Sequence, residues 1–131
     1  MNTVLVCGGR EFTDWQYMWG VLDALHVFDP IERLVNGGAR GADYYSTLWA
    51  NARGVPVKTY AVVKDDWGKY GKAAGVIRNK GMLKDAQPSL VVAFKGNTGT
   101  KSMVDIAMKA HIDVLIMSYP SDPSPQPRLE V

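Results

Sequence analysis

The sequence is short of the residues that mark several protein classes. It has one cysteine, Cys7, and two histidines, His26 and His111. That excludes an intrachain disulfide framework and speaks against a Cys/His zinc cage. No apolar run approaches the roughly 20 residues a membrane-spanning helix needs. The opening Met1–Val6 has neither a basic segment nor a long apolar one of the kind that directs secretion. No sign of charge dominates, since 15 Lys and Arg against 13 Asp and Glu give a formal net charge of +2. Such a balance does not suit a polybasic nucleic-acid coat or membrane patch, so any anion site has to be local. These absences lead us to expect a cytoplasmic protein in a reducing compartment, with no metal and no membrane partner.

What is present suits one compact domain: 131 residues, 47% of them hydrophobic, with 13 glycines. Five short apolar runs, Thr3–Cys7, Arg33–Asn36, Val57–Val63, Leu90–Phe94 and Val114–Met117, are continuous rather than alternating, as in strands buried on both faces. Segments of helical period lie between them. Asp14–Phe28 sets Trp15, Met18, Trp19, Leu22 and Leu25 on one stripe, and Thr13 with Gln16 matches a capping box at its start. Ala42–Arg53, Ala73–Ala86 and Thr100–Ala110 read as the other three helices. Strict alternation of strand and helix predicts an α/β fold, a Rossmann-like three-layer sandwich whose five-stranded parallel sheet, in order 3-2-1-4-5, carries helices on both faces. Residues 118–131 differ, holding four of the seven prolines. They read as an extended or loose tail, or as an arm that docks on a neighbouring subunit.

The glycines fall at strand ends. Cys7-Gly8-Gly9-Arg10 follows the first strand, Asn36-Gly37-Gly38-Ala39-Arg40-Gly41-Ala42-Asp43 the second, and Lys95-Gly96-Asn97-Thr98-Gly99-Thr100 the fourth. Each precedes a helix. Such turns expose unpaired N–H groups, admit a phosphate close to the backbone and point the positive end of a helix dipole at it. Any one of them could be merely a tight turn. Three on one sheet edge, at the carboxyl ends of the strands where open α/β sheets bind ligands, point to an anion or nucleotide site. The Gly-x-x-x-x-Gly-Lys-Ser/Thr and Gly-x-Gly-x-x-Gly spacings are both absent, which disfavours phosphoryl transfer by a P-loop lysine and a standard dinucleotide-dependent hydride transfer.

A fourth cluster runs from Asp65 to Met82. In it Trp67 and Tyr70 offer aromatic faces, while Lys69, Lys72 and Arg78 offer charge. On a helix expected to bury Ala74, Ile77 and Gly81, Arg78 stands beside the buried stripe and within reach of the crevice. A structural salt bridge is its plainer role, and a loop anchor is that of Trp67. Cys7 reads as a small core residue rather than a nucleophile, since no histidine neighbours it in sequence. His26 and His111, at helix ends, are expected to cap carbonyls or face solvent. Asp43 and Asp14 open helices, so capping competes with ligand contact at both.

Together Val4–Arg10 with Phe12 and Asp14, Asn36–Asp43, Trp67–Gly75 leading into Arg78-Asn79, and Gly96–Thr100 resemble the YspA-like, YpsA-related branch of the SLOG superfamily. That superfamily is Rossmann-like and includes the LOG phosphoribohydrolases and the DNA-processing protein DprA. The resemblance covers residues 1–117 as one nucleotide-binding domain and leaves the tail outside. Members are frequent in bacteria, prophages and phages, so the implied setting is a bacterial cytoplasm or that of a phage host. It implies a nucleotide or nucleotide-derived ligand on Gly8, Gly9, Arg10, Gly38, Arg40, Asp43, Trp67, Arg78, Asn79, Gly96, Thr98, Gly99 and Thr100, with no cofactor required.

LOG enzymes carry an Arg-Lys-x-x-Met block and a Pro-Gly-Gly-x-Gly-Thr-x-x-Glu block whose arginine and glutamate serve N-glycosidic cleavage. Arg78 and Met82 match the first, with Asn79 in the lysine place. In the second, Met103 stands where the glutamate would be. A thioether neither stabilises an oxocarbenium-like centre nor activates water, so Arg78 and Asp43 are the remaining catalytic candidates. Binding, as a sensor or sequestering protein, therefore ranks ahead of a phosphoribohydrolase, and DprA-like single-stranded nucleic-acid binding ranks third. The large side chains Trp15, Trp19, Tyr44, Tyr45, Trp49 and Met108 exceed what five short strands should cover, which predicts a homo-oligomer.

Overall fold

A computed structural model describes residues 1–61 and 73–117. The chain runs β1 (Thr3–Cys7), α1 (Trp15–Phe28), β2 (Arg33–Asn36), α2 (Ala42–Arg53), β3 (Val57–Thr59), α3 (Ala74–Ala86), β4 (Leu90–Ala93), α4 (Thr98–Lys109) and β5 (Asp113–Ile116). All strand pairings are parallel, in the order β3-β2-β1-β4-β5. The expected α/β, Rossmann-like sheet is therefore present. β1 lies at its centre, with Val4 paired to Leu34 on one side and to Leu90 on the other.

Alternate residues of β1 serve opposite cores. Val4 and Val6 join Met18 and Leu22 of α1 and Trp49 of α2. Leu5 and Cys7 join Met82 and Leu83 of α3 and Met103 and Ala107 of α4. This two-faced burial explains the unbroken apolar runs of β1, β2 and β4, whereas the edge strands β3 and β5, expected to be buried likewise, have no buried residue because each has a neighbour on one side only. Each Val, Leu or Met among them contributes roughly 1.5–3 kcal/mol by leaving water. No helix among the described residues is long and apolar enough to cross a membrane.

Some local expectations are corrected. The N-cap of α1 is Asp14, whose carboxylate accepts from the Tyr17 amide at 3.2 Å, rather than Thr13 in a capping box with Gln16. His26 caps no carbonyl; its Nδ1 accepts the Ile31 amide at 2.9 Å. On α3, Ala74 is buried as expected, but Ile77 and Gly81 are exposed and Asn79, Met82, Leu83 and Ala86 face inward. The stripe is turned because Asn79 has polar partners on α4, which makes its burial favourable. Trp49 is fully buried, with its indole N–H on Asp23 at 2.8 Å, and Trp19 donates to the Tyr45 carbonyl. Of the surface counted toward an oligomer, Trp15, Tyr44 and Met108 are exposed. The third strand, expected over Val57–Val63, ends at Thr59, with Tyr60 and Ala61 outside it; residues 62–63 and the proline-rich segment 118–131 lie outside the described residues.

Candidate functional site

The three glycine turns meet at the carboxyl edge of the sheet, and they brace one another. Gly41 has φ +79, and a Cβ there would collide with the carbonyls of Gly9 and Arg10. The neighbouring Ala42 amide donates to the Gly9 carbonyl at 3.2 Å, while the Gly9 amide donates to the Lys95 carbonyl at 2.9 Å. The turn after β1 is thus tied to those after β2 and β4. Asn36, wholly buried, organises the second turn: its carboxamide donates to the Asp43 carbonyl, Ser46 Oγ and Thr47 Oγ1 and accepts from the Gly38 amide.

Between these turns, α3 and α4 lies a crevice of about 510 Å³. Arg78 reaches into it over Gly37, which has no side chain to obstruct the guanidinium. Its Nη1 donates to the carbonyls of Gly37 and Tyr60, both at 3.1 Å, and its Nε donates to Asn79 Oδ1 at 3.0 Å. Nη2 has no partner among the described residues. Asn79 in turn reaches toward the Gly99 carbonyl and Ser102 at the start of α4. Asn97 caps α4, its side chain accepting from the Gly99 amide at 3.1 Å and its carbonyl from Lys101. The amides of Thr98 and Thr100 meet no acceptor among the described residues, and the Thr100 hydroxyl, buried against Gly96, has no hydrogen-bond partner.

Asp43 is the carboxylate of this crevice. It is 8% exposed and accepts the Ala39 amide at 3.1 Å. Burial pushes its pKa up to about 6, with that hydrogen bond and the nearby Arg78 opposing. No ion pair joins Asp43 to Arg78. Burial also draws the Arg78 guanidinium below its ordinary value, with Asp43 countering and Arg10 adding to the fall. It stays a cation. Cys7 beneath them is pushed up to about 12, first by burial and then by Asp43, which leaves it a neutral thiol and no nucleophile.

Of the residues singled out from sequence, Gly8, Arg10, Gly38, Asp43, Arg78, Asn79, Gly99 and Thr100 line the crevice. Gly9 and Gly96 face a second cavity across the first turn. Arg40 lies apart, in an exposed ion pair with Glu11 at 2.8 Å, and Thr98 opens α4. Trp67, Lys69, Tyr70 and Lys72 lie outside the described residues. Met103, 1% exposed, is among the residues lining the crevice, at the position where the resemblance to LOG enzymes leads us to expect a glutamate. Sequence reasoning missed Asn36, Gly37 and Asn97. The signal for the first and last was an Asn at a strand-to-helix turn, placed to hold its own turn.

Two comparisons bear on the chain. The family model described as "YspA, cpYpsA-related SLOG family" matches residues 2–70. The Gene 61 protein of Mycobacterium phage D29 is 36% identical over 120 residues, which cover 88% of this chain and 95% of that protein.

Proposed function

The chain belongs to the YspA, cpYpsA-related SLOG family, and on that premise we propose that its crevice binds the phosphate of a nucleotide or nucleotide-derived small molecule, as a sensor or sequestering protein. The observation that carries this reading is the start of α4. The unpartnered Thr100 amide and the orphaned Thr100 hydroxyl lie there, at a residue lining the same crevice as the free edge of Arg78. A buried hydroxyl without a partner costs about 1–3 kcal/mol, and a phosphate oxygen would relieve that cost while meeting the helix dipole. Arg78, already half-desolvated and held by two carbonyls, would add a charge-assisted bond without first being ordered.

The test is isothermal calorimetry with a panel of nucleoside phosphates. Binding is expected for at least one, and Arg78→Gln should weaken it roughly 10- to 100-fold, the equivalent of about 1.5–3 kcal/mol for a hydrogen bond to a charged group. No binding by any member, or equal affinity in Arg78→Gln, would sink the reading.

One observation favours hydrolysis of an N-glycosidic bond as a second reading. Asp43 lies buried in the same crevice as Arg78, and burial pushes its pKa up to about 6, a range suited to general acid–base work. Incubation with the same panel and chromatography for free base and ribose phosphate tests it. Binding without release, even over long incubation, rejects it.

A further inference from the structure

The helix layers on the two faces of the sheet meet water differently. Over one face, α3 and α4 expose Lys80, Lys84, Asp85, Lys101, Asp105 and Lys109. Over the other, α1 and α2 carry only Asp23, Asp43 and Arg53 as formal charges, and none of them stands alone at the surface. Asp43 is buried in the crevice, while Asp23 and Arg53 pair at 2.8 Å in the seam between the two helices. Trp49 donates to the same carboxylate, and the Arg53 guanidinium lies 5.1 Å from the centre of the Trp19 ring. What this layer turns outward is apolar or small. Phe28 is 91% exposed and Val27 85%, and Trp15, Tyr44 and Leu48 are exposed as well.

The outer stripe of α1 runs at helical spacing through Gln16, Gly20, Ala24 and Val27, all exposed, with Phe28 on its flank and no charge along it. A helix that is apolar all round belongs inside a structure. Gly20 adds an independent point: glycine is unfavourable in a helix interior, and a Cβ there would meet open space, so nothing in the chain itself requires it. Its bare backbone leaves room for another helix to approach closely. A second copy of this chain fits such a face. In a two-fold contact, residues near the axis meet their own copies, so a charge there would face its like, and α1 has none to repel. The area suffices too. With roughly 150–250 Å² presented by an aromatic side chain, the exposed parts of Trp15, Val27, Phe28, Tyr44 and Leu48 amount to roughly 500–600 Å² per copy, and two copies reach the approximately 1,000 Å² that a specific interface needs.

We propose that the outer face of α1 is the centre of a two-fold contact with a second copy of this chain, helix against helix, with Gly20 and Ala24 at the crossing and Tyr44 and Leu48 of α2 beside it. The contact lies on the sheet face opposite α3 and α4, which wall the crevice. The crevice therefore stays open in the dimer, and the contact stands or falls independently of what the crevice binds.

The test is sedimentation equilibrium of the full chain over a range of concentrations, run on the wild type, on Ala24→Glu, on Ala24→Lys and on an equimolar mixture of the two variants. Both substitutions put a good helix former at an exposed position, and an unchanged far-ultraviolet spectrum certifies the fold. The wild type is expected to approach twice the 14.4 kDa chain mass, with a Kd of about micromolar order. Each variant alone should associate at least about tenfold more weakly, and the mixture should regain the loss because glutamate then faces lysine across the axis. A wild type that stays monomeric far above micromolar concentration, as it would if a membrane, an unrelated protein or another part of the same chain covered α1, overturns the proposal. A dimer that both variants leave intact overturns it as well, by placing the contact elsewhere. So does a mixture that associates no better than its components, since the two copies would then not meet through the same face.

Discussion

Asp43 is the residue whose ionisation the fold opposes. Its folded pKa of about 6 lies above the ordinary 3.8, so the stability of the protonated form is fully present below about pH 4 and is lost as pH rises through 6. The difference corresponds to something on the order of 3 kcal/mol at neutral pH. Asp43→Asn, which keeps an acceptor for the Ala39 amide, should therefore stabilise the protein at pH 7 and have little effect at pH 4. Urea unfolding of both proteins across that range checks it, and a pH-independent difference would contradict the assignment. For Cys7, the raised pKa and its burial predict slow labelling by a thiol-disulfide reagent in the native protein and fast labelling in urea. At this scale Arg78's reach into the crevice was expected, but from a stripe of Ala74, Ile77 and Gly81 that the structure turns toward Asn79 and Met82. The inward turn of Asn79 was not, because it depends on acceptors from α4 that are distant in sequence.

At the scale of elements, strand and helix types followed from apolar continuity and period, while ends followed from caps. Asp14 won over Thr13 because its carboxylate meets the Tyr17 amide. Asp14→Ala should cost about 1 kcal/mol, read as a lower midpoint in denaturant with an unchanged slope. α4 begins at Thr98, two residues earlier than its apolar period suggests, because Asn97 supplies a cap outside that period. The turns show a similar limit. Their glycines were visible in the sequence, but the reason for Gly41, its contact with the turn after β1, belongs to the assembled sheet edge. Gly41→Ala should lose about 1–3 kcal/mol from its backbone conformation alone, and more from the collision with the Gly9 and Arg10 carbonyls. A thermal scan that finds this variant as stable as the parent would show that the two turns can part without cost.

For the whole molecule, the parallel sheet and its order were readable because alternating strands and helices with right-handed crossovers leave few topologies. The adjoining of two cavities at this edge was not readable, since the turns after β1 and β4, far apart in sequence, meet through the Gly9–Lys95 hydrogen bond only in the assembled sheet. The placement of β1 has a consequence for how the chain reaches its native state. Its pairing with β2 closes a short stretch of chain, whereas its pairing with β4 must gather most of the described sequence. Loop-closure entropy therefore orders the events, with the β1-α1-β2-α2 half consolidating before β4 docks. Pulsed hydrogen exchange during refolding should protect amides of β1 and β2 ahead of those of β4 and β5. The two walls of the crevice come from opposite sides of that step. A ligand that bridges them would then act late, slowing unfolding while leaving the refolding rate nearly untouched.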